Sequence, residues 1–124
     1  MRIPYVNIKK QYKSEKRKIL KIIDQTLESG NWVGGSEIEK FEKKISKICN
    51  TKYCISLNSG TDALTLALHL LGVRKGDEVI TPPNSFIAST SVIVHLGATP
   101  VFVDVKKDQS IDEDKIEAKI TKNT

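Results

Sequence analysis

Residues 53–71, YCISLNSGTDALTLALHLL, set a β-branched and apolar run, a Ser59-Gly60-Thr61-Asp62 turn and an apolar helix in immediate succession. Such a turn is a ready anion site, because the first backbone N–H groups of a helix lack intrahelical partners and its dipole favours negative charge there. Gly60 removes the Cβ that would block close approach, and the hydroxyls of Ser59 and Thr61 can donate to phosphate oxygens. Ordinary N-capping accounts for Ser or Thr before an apolar helix equally well, so the turn by itself leaves both readings open. It is neither a P-loop nor a dinucleotide fingerprint: no Lys follows the glycine, and no G-x-G-x-x-G occurs.

A second turn, Pro82-Pro83-Asn84-Ser85, follows a short apolar run and ends on Phe86. A flat ring at a strand end can stack on a flat ligand, or it can be a core residue. One turn that donates to phosphate beside another that offers a ring suits a planar phosphorylated heterocycle, of which pyridoxal phosphate is an example.

The elements that must position these turns follow from periodicity. Tyr12, Ile19, Ile23 and Leu27 make an apolar stripe that predicts an amphipathic helix over 11–28, stopped at Ser29-Gly30. A loop NWVGG precedes a second helix over 36–48, with Ile38, Phe41, Ile45 and Ile48 on one side and a capping box from Ser36 and Glu39. A strand over 53–57 then leads through the first turn to a helix over 61–71. A second unit repeats the pattern, with a strand at 78–81 and a helix over 86–96, and a third strand follows at 100–105. The last expected helix spans 112–120, with an acidic first turn.

Strands alternating with helices imply right-handed crossovers and a parallel sheet covered on both faces, an α/β, three-layer αβα architecture. In such sheets ligands bind outside the carboxyl ends of the strands, where both turns belong. Three strands without a closing element would leave an open edge, so the expectation is a truncated α/β domain. Residues 1–30 are expected as a helical arm and 31–124 as the start of the large domain.

Composition bounds the alternatives. The chain has 124 residues, 39% hydrophobic and 28% charged, which fits an average globular domain. No apolar run approaches the ~18 residues of a membrane span, and a soluble cytoplasmic protein is expected. Cys49 and Cys54 are too few for a disulfide framework, and with His69 and His95 they do not have zinc-finger spacing, so no metal site is expected. The net charge of +5 rests on lysine far more than arginine, spread along a helix, which argues against nucleic-acid readout.

The strings SGNWVGG followed by EIEKFEKKI, SLNSGTDALTLALHLLGVRKGDEVITPPNSFIAST and HLGATPVFVDV resemble, in order and spacing, the N-terminal part of the DegT family of sugar aminotransferases. The resemblance runs from about Ile3 onward. It implies a fold-type-I large domain and a homodimeric pyridoxal-phosphate enzyme that moves an amino group, usually from glutamate, onto a nucleotide-linked keto sugar for cell-surface polysaccharide. Carried over residue by residue, it implies that Gly60, Thr61 and Asp62 hold the cofactor phosphate, Asp62 through its backbone amide, with Ser59 as a lesser candidate. It also implies that Phe86 covers the pyridine ring, that Asn84 and Ser85 line the sugar side, and that Trp32 with Gly34-Gly35 belongs to a substrate and dimer-contact loop.

Transamination further needs a lysine for the Schiff base and a carboxylate for the pyridine nitrogen, which the family places beyond this segment. No catalytic residue is therefore assigned here. Two rivals share the scaffold: a sugar dehydratase with histidine in place of that lysine, and a non-catalytic remnant that at most binds phosphate.

Overall fold

The computed structural model describes residues 5–124, so Arg2 and Ile3, at the start of the expected arm, lie outside the described residues. The chain divides into two compact units, one ending at Ser56 and one from Leu57 to Thr124, whereas the sequence reading placed a boundary after Gly30.

In the first unit, helix α1 spans Ile8–Ser29 and helix α2 spans Ser36–Ile48. Asn7 caps α1 by accepting from the Lys10 N–H at 3.0 Å, and Gly30 ends it in the left-handed conformation at φ 69°, as the Ser-Gly stop predicts. No residue of α1 is buried, so its apolar stripe is uncovered among the described residues. The capping box expected at Ser36 does not form. Gly35, at φ 95°, takes the capping position itself, which makes Ser36 the first helical residue and leaves no side-chain cap.

Residues 53–57 do not form a strand: no ladder pairs with them among the described residues. Cys54 and Ser56 are half-buried while Tyr53 and Ile55 are exposed, so burial alternates along the run without a strand partner. Within this unit the Ser56 N–H instead donates to Glu42 Oε1 of α2 at 2.7 Å, a charge-assisted bond where a sheet bond was expected.

In the second unit, helix α3 spans Gly60–Leu70, strand β1 Glu78–Thr81, helix α4 Ala88–His95 and strand β2 Thr99–Phe102. The two strands are parallel, with Glu78 opposite Thr99 and Thr81 opposite Phe102. The sheet thus has two strands where three were expected; α4 packs on both of them and α3 packs on α4. Val92, Ile93 and Ala98 form the core, with Leu68, Val73 and Val79 against it. Ile93 and Val103 are each 1% exposed.

The chain leaves α4 for β2 through Gly97, at φ 79°, where a Cβ would come within 3.3 Å of Lys75 Cβ. Both the backbone conformation and the space therefore call for glycine.

After β2 the ladder stops at Phe102 rather than Val105, which makes an isolated antiparallel bridge to Ile111. Between them a tight turn closes through Lys106 N–H to Ser110 O and Gln109 N–H to Lys106 O, both 2.9 Å, with Gln109 left-handed at φ 70°. The helix expected over 112–120 is instead two 3₁₀ turns, Glu113–Lys115 and Glu117–Lys119. Asp112 precedes the first of them, and its carboxylate pairs with Lys115 at 3.0 Å and makes no cap bond. A segment this short does not hold a helix without a cap or a buried face.

Ionic contacts fasten this stretch. Lys115 Nζ also reaches Asp104 Oδ2 at 3.4 Å, and Lys106 Nζ reaches Glu113 Oε1 at 2.7 Å. The Val105 N–H, and then Lys115, hold the Asp104 carboxyl below its ordinary value. The Ser110 hydroxyl and N–H do the same for Asp108, and Lys106 for Glu113. All are exposed, so each contribution is small and screened by salt.

Two expectations follow from this packing. Ile93→Ala should destabilise the second unit by about 2–4 kcal/mol, and Gly97→Ala by about 1–2 kcal/mol, in urea denaturation. Carboxylates held below their unfolded values stabilise the fold above the ordinary carboxylate range and lose that contribution as pH falls through their folded values. The Val105 and Ser110 amide resonances should therefore hold steady above about pH 5 and shift below about pH 4. A transition at or above the ordinary carboxylate value would contradict the assigned bonds.

Candidate functional site

The Ser59-Gly60-Thr61-Asp62 turn opens α3. Ser59 is the N-cap, extended at φ −153°, and its Oγ accepts from the Asp62 N–H at 3.1 Å and donates to Asp62 Oδ2 at 2.8 Å. The Ser59 carbonyl takes the Ala63 N–H at 3.1 Å. Ser59 therefore caps the helix while its hydroxyl is held by the Asp62 carboxylate, and the Asp62 amide assigned to an anion already has an intramolecular acceptor.

The next two amides remain open: among the described residues no group accepts from the N–H of Gly60 or Thr61. Thr61 is exposed, and apart from the adjoining residues and the helix's own backbone no atom lies within 4 Å of where a Cβ on Gly60 would stand. Two adjacent N–H donors at a helix start, with an open approach and a hydroxyl beside them, have the chemistry of a small anion site. These features fit a phosphate.

The second turn leaves the carboxyl end of β1 and enters α4. Phe86 is 76% exposed, so its ring is not a core residue of this unit. Ser85 Oγ lies 2.8 Å from Ser89 Oγ, and Asn84 Nδ2 donates to both the backbone oxygen and Oε1 of Gln109 at 3.2 Å each. The Asn84 amide nitrogen and the Ser85 hydroxyl thus have partners within the chain. Gln109 was not singled out from the sequence. It stands in a polar loop, 25 residues from Asn84, and no spacing or composition signal marks such a partner.

Trp32 belongs to the first unit. It is 69% exposed, and its Nε1 donates to the Leu27 carbonyl at 3.3 Å, so the indole caps the end of α1 together with the Gly30 N–H. Gly34 and Gly35 line a cleft of about 400 Å³ between the end of α1 and the start of α2, with Thr26, Asn31 and Glu37 also on its walls.

Among the described residues no cluster of three or more His, Cys, Asp or Glu could hold a metal ion, and no helix is long and apolar enough to cross a membrane. Cys49 and Cys54 are free thiols.

The chain is 40% identical over 123 residues to dTDP-3-amino-3,6-dideoxy-alpha-D-galactopyranose transaminase of Aneurinibacillus thermoaerophilus, covering 98% of this chain and 34% of that protein. Its structure superposes on the crystal structure of DesV from Streptomyces venezuelae with a TM-score of 0.93 at 38% identity, covering 99% of this chain and 33% of that one. On the NtdA structure from Bacillus subtilis, which has bound cofactor PMP, the TM-score is 0.91 at 36% identity, covering 99% of this chain and 29% of that one. The chain spans about a third of the length of the curated relatives it matches. Its mixed helix and strand fold, with the small parallel sheet, is that of the corresponding part of the fold-type-I aminotransferases. With residues 13–124 matching the family as a whole, the chain belongs to the DegT/DnrJ/EryC1/StrS aminotransferase family.

Proposed function

We propose that this chain supplies the phosphate and ring contacts of a pyridoxal-phosphate-dependent sugar aminotransferase. In the complete cycle an amino group passes from glutamate to a nucleotide-linked keto sugar. The carrying observation is the pair of open amides on Gly60 and Thr61 at the start of α3, in the unit where Phe86 stands exposed on a strand-end turn.

Bound pyridoxal phosphate would supply an aldehyde and an electron-accepting ring for the transfer. The residues of this chain hold that group. The Gly60 and Thr61 N–H groups and the Thr61 hydroxyl donate to phosphate oxygens, and the dipole of α3 opposes the charge. Ser59 keeps the first turn wound, through its bonds to Asp62, so that those donors stay pointed outward. Phe86 covers the heterocycle and excludes water from one of its faces.

The relatives' printed names support the sugar substrate: the Aneurinibacillus protein is a transaminase of a dTDP-linked amino sugar, and a Pseudomonas aeruginosa relative acts on a UDP-linked oxo-glucuronate. In this reading the lysine that forms the Schiff base is supplied from outside residues 1–124, the working enzyme is a cytoplasmic homodimer, and the loop of Trp32 lies toward substrate and partner.

Pyridoxine 5′-phosphate is a suitable probe, because it lacks the aldehyde that would react with the 17 lysines of the chain. It should bind at least about tenfold more tightly than pyridoxine, and Thr61→Val should cut that advantage by about three- to tenfold without changing pyridoxine affinity. Equal affinities for the two would overturn the phosphate assignment. Residues 1–124 by themselves should not transfer an amino group from glutamate in the presence of pyridoxal phosphate. Turnover in that assay would show that the essential lysine lies within them.

A further inference from the structure

The turn that carries Phe86 is not free to choose its own conformation. Asn84, two residues before the ring, uses its side-chain amide on Gln109, donating to the backbone oxygen and to Oε1 at 3.2 Å each. Gln109 presents both acceptors, and it is left-handed, φ 70°, a conformation that non-glycine residues seldom take.

The loop around it is over-determined. Gln109 N–H closes on Lys106 O, Lys106 N–H on Ser110 O, and Asp108 Oδ1 accepts from both the N–H and the hydroxyl of Ser110 at 3.0 and 2.7 Å. Val105 and Ile111 bridge at its base, and Lys106 pairs with Glu113 just beyond. A side chain that reaches across 25 residues to this rigid loop has both amide hydrogens engaged there and none left to donate to a ligand.

We infer that Gln109 is a positioning residue for Phe86: with Asn84 it ties the aromatic turn to the loop after β2 and so fixes where the ring stands over a bound heterocycle. This assigns Asn84 to holding the turn instead of lining the sugar side. The inference rests on the reading of Phe86 as a stacking face, and the chemistry it serves is recognition of a planar ring, separate from the phosphate contacts of Gly60 and Thr61.

Two variants of the full chain test it. Gln109→Gly deletes Oε1 while suiting the positive φ, so the loop should keep its shape, and Asn84→Ala deletes the donor. In the ligand-free chain the ¹⁵N order parameters of Ser85 and Phe86 should fall in both variants, more in Asn84→Ala, while those of Gly60 and Thr61 stay unchanged. Unchanged order at Ser85 and Phe86 in both would overturn the tie.

Pyridoxine 5′-phosphate affinity should weaken about three- to tenfold in Gln109→Gly. In a Phe86→Ala background the same change should add nothing, because the residue acts through the ring. An equal loss with and without the ring would overturn the positioning role. If Phe86→Ala alone leaves affinity untouched, the stacking reading fails and the positioning role falls with it, while the order parameters still decide whether the tie exists.

Discussion

The second unit depends on one buried contact: Ile93 and its neighbours Val92 and Ala98 packed against a pair of parallel strands. Two parallel strands cannot be joined by a tight turn, so the chain must leave β1, cross over as α4 and return as β2. Burying Ile93 is worth roughly 1.5–3 kcal/mol, and it sets the crossover on the sheet. With α4 seated, the turn before it is delivered to the carboxyl end of β1, and α3, packed on α4, brings its own opening turn into the same unit. The open amides and the exposed ring are consequences of that seating.

Among the described residues the buried hydrophobic set is small: Ala88, Val92, Ile93, Ala98 and Val103. Leu66, Leu70, Leu71, Val94 and Phe102 are exposed, as are the stripe residues of α1. A core of this size explains why so many apolar residues that periodicity assigned to buried faces lie at the surface: the pattern marks which side of a helix is apolar, and burial depends on what is set against it. The helices were legible for the same reason. Helix α2 has its expected bounds and α3 is displaced by one residue, because both carry their apolar spacing and their stop signals within their own sequence.

What was misread lies where a distant or adjacent partner decides. Residues 53–57 alternate as a strand should, yet strand formation needs a neighbour's amides and carbonyls, and here Glu42 takes the Ser56 N–H. Ser36 lost its capping role to Gly35, whose positive φ sets it in the N-cap position and leaves Ser36 as the first helical residue. Residues 112–120 have the acidic start of a helix, but Asp112 is drawn to Lys115. At the candidate site the Ser59-Gly60-Thr61-Asp62 turn and the helix it opens were readable because a turn and a helix start are local. The division of labour inside the turn, with Ser59 and Asp62 serving each other and Gly60 and Thr61 left open, depends on rotamers that residue types do not encode.

Trp32 is the chain's one tryptophan, and its indole nitrogen is bonded to the Leu27 carbonyl. The intrinsic fluorescence of the protein is therefore a built-in optical reporter of the last turn of α1. Fraying there frees the indole to water and changes its emission, so the chain carries a label-free signal for ordering of its Gly-rich loop without any engineered dye.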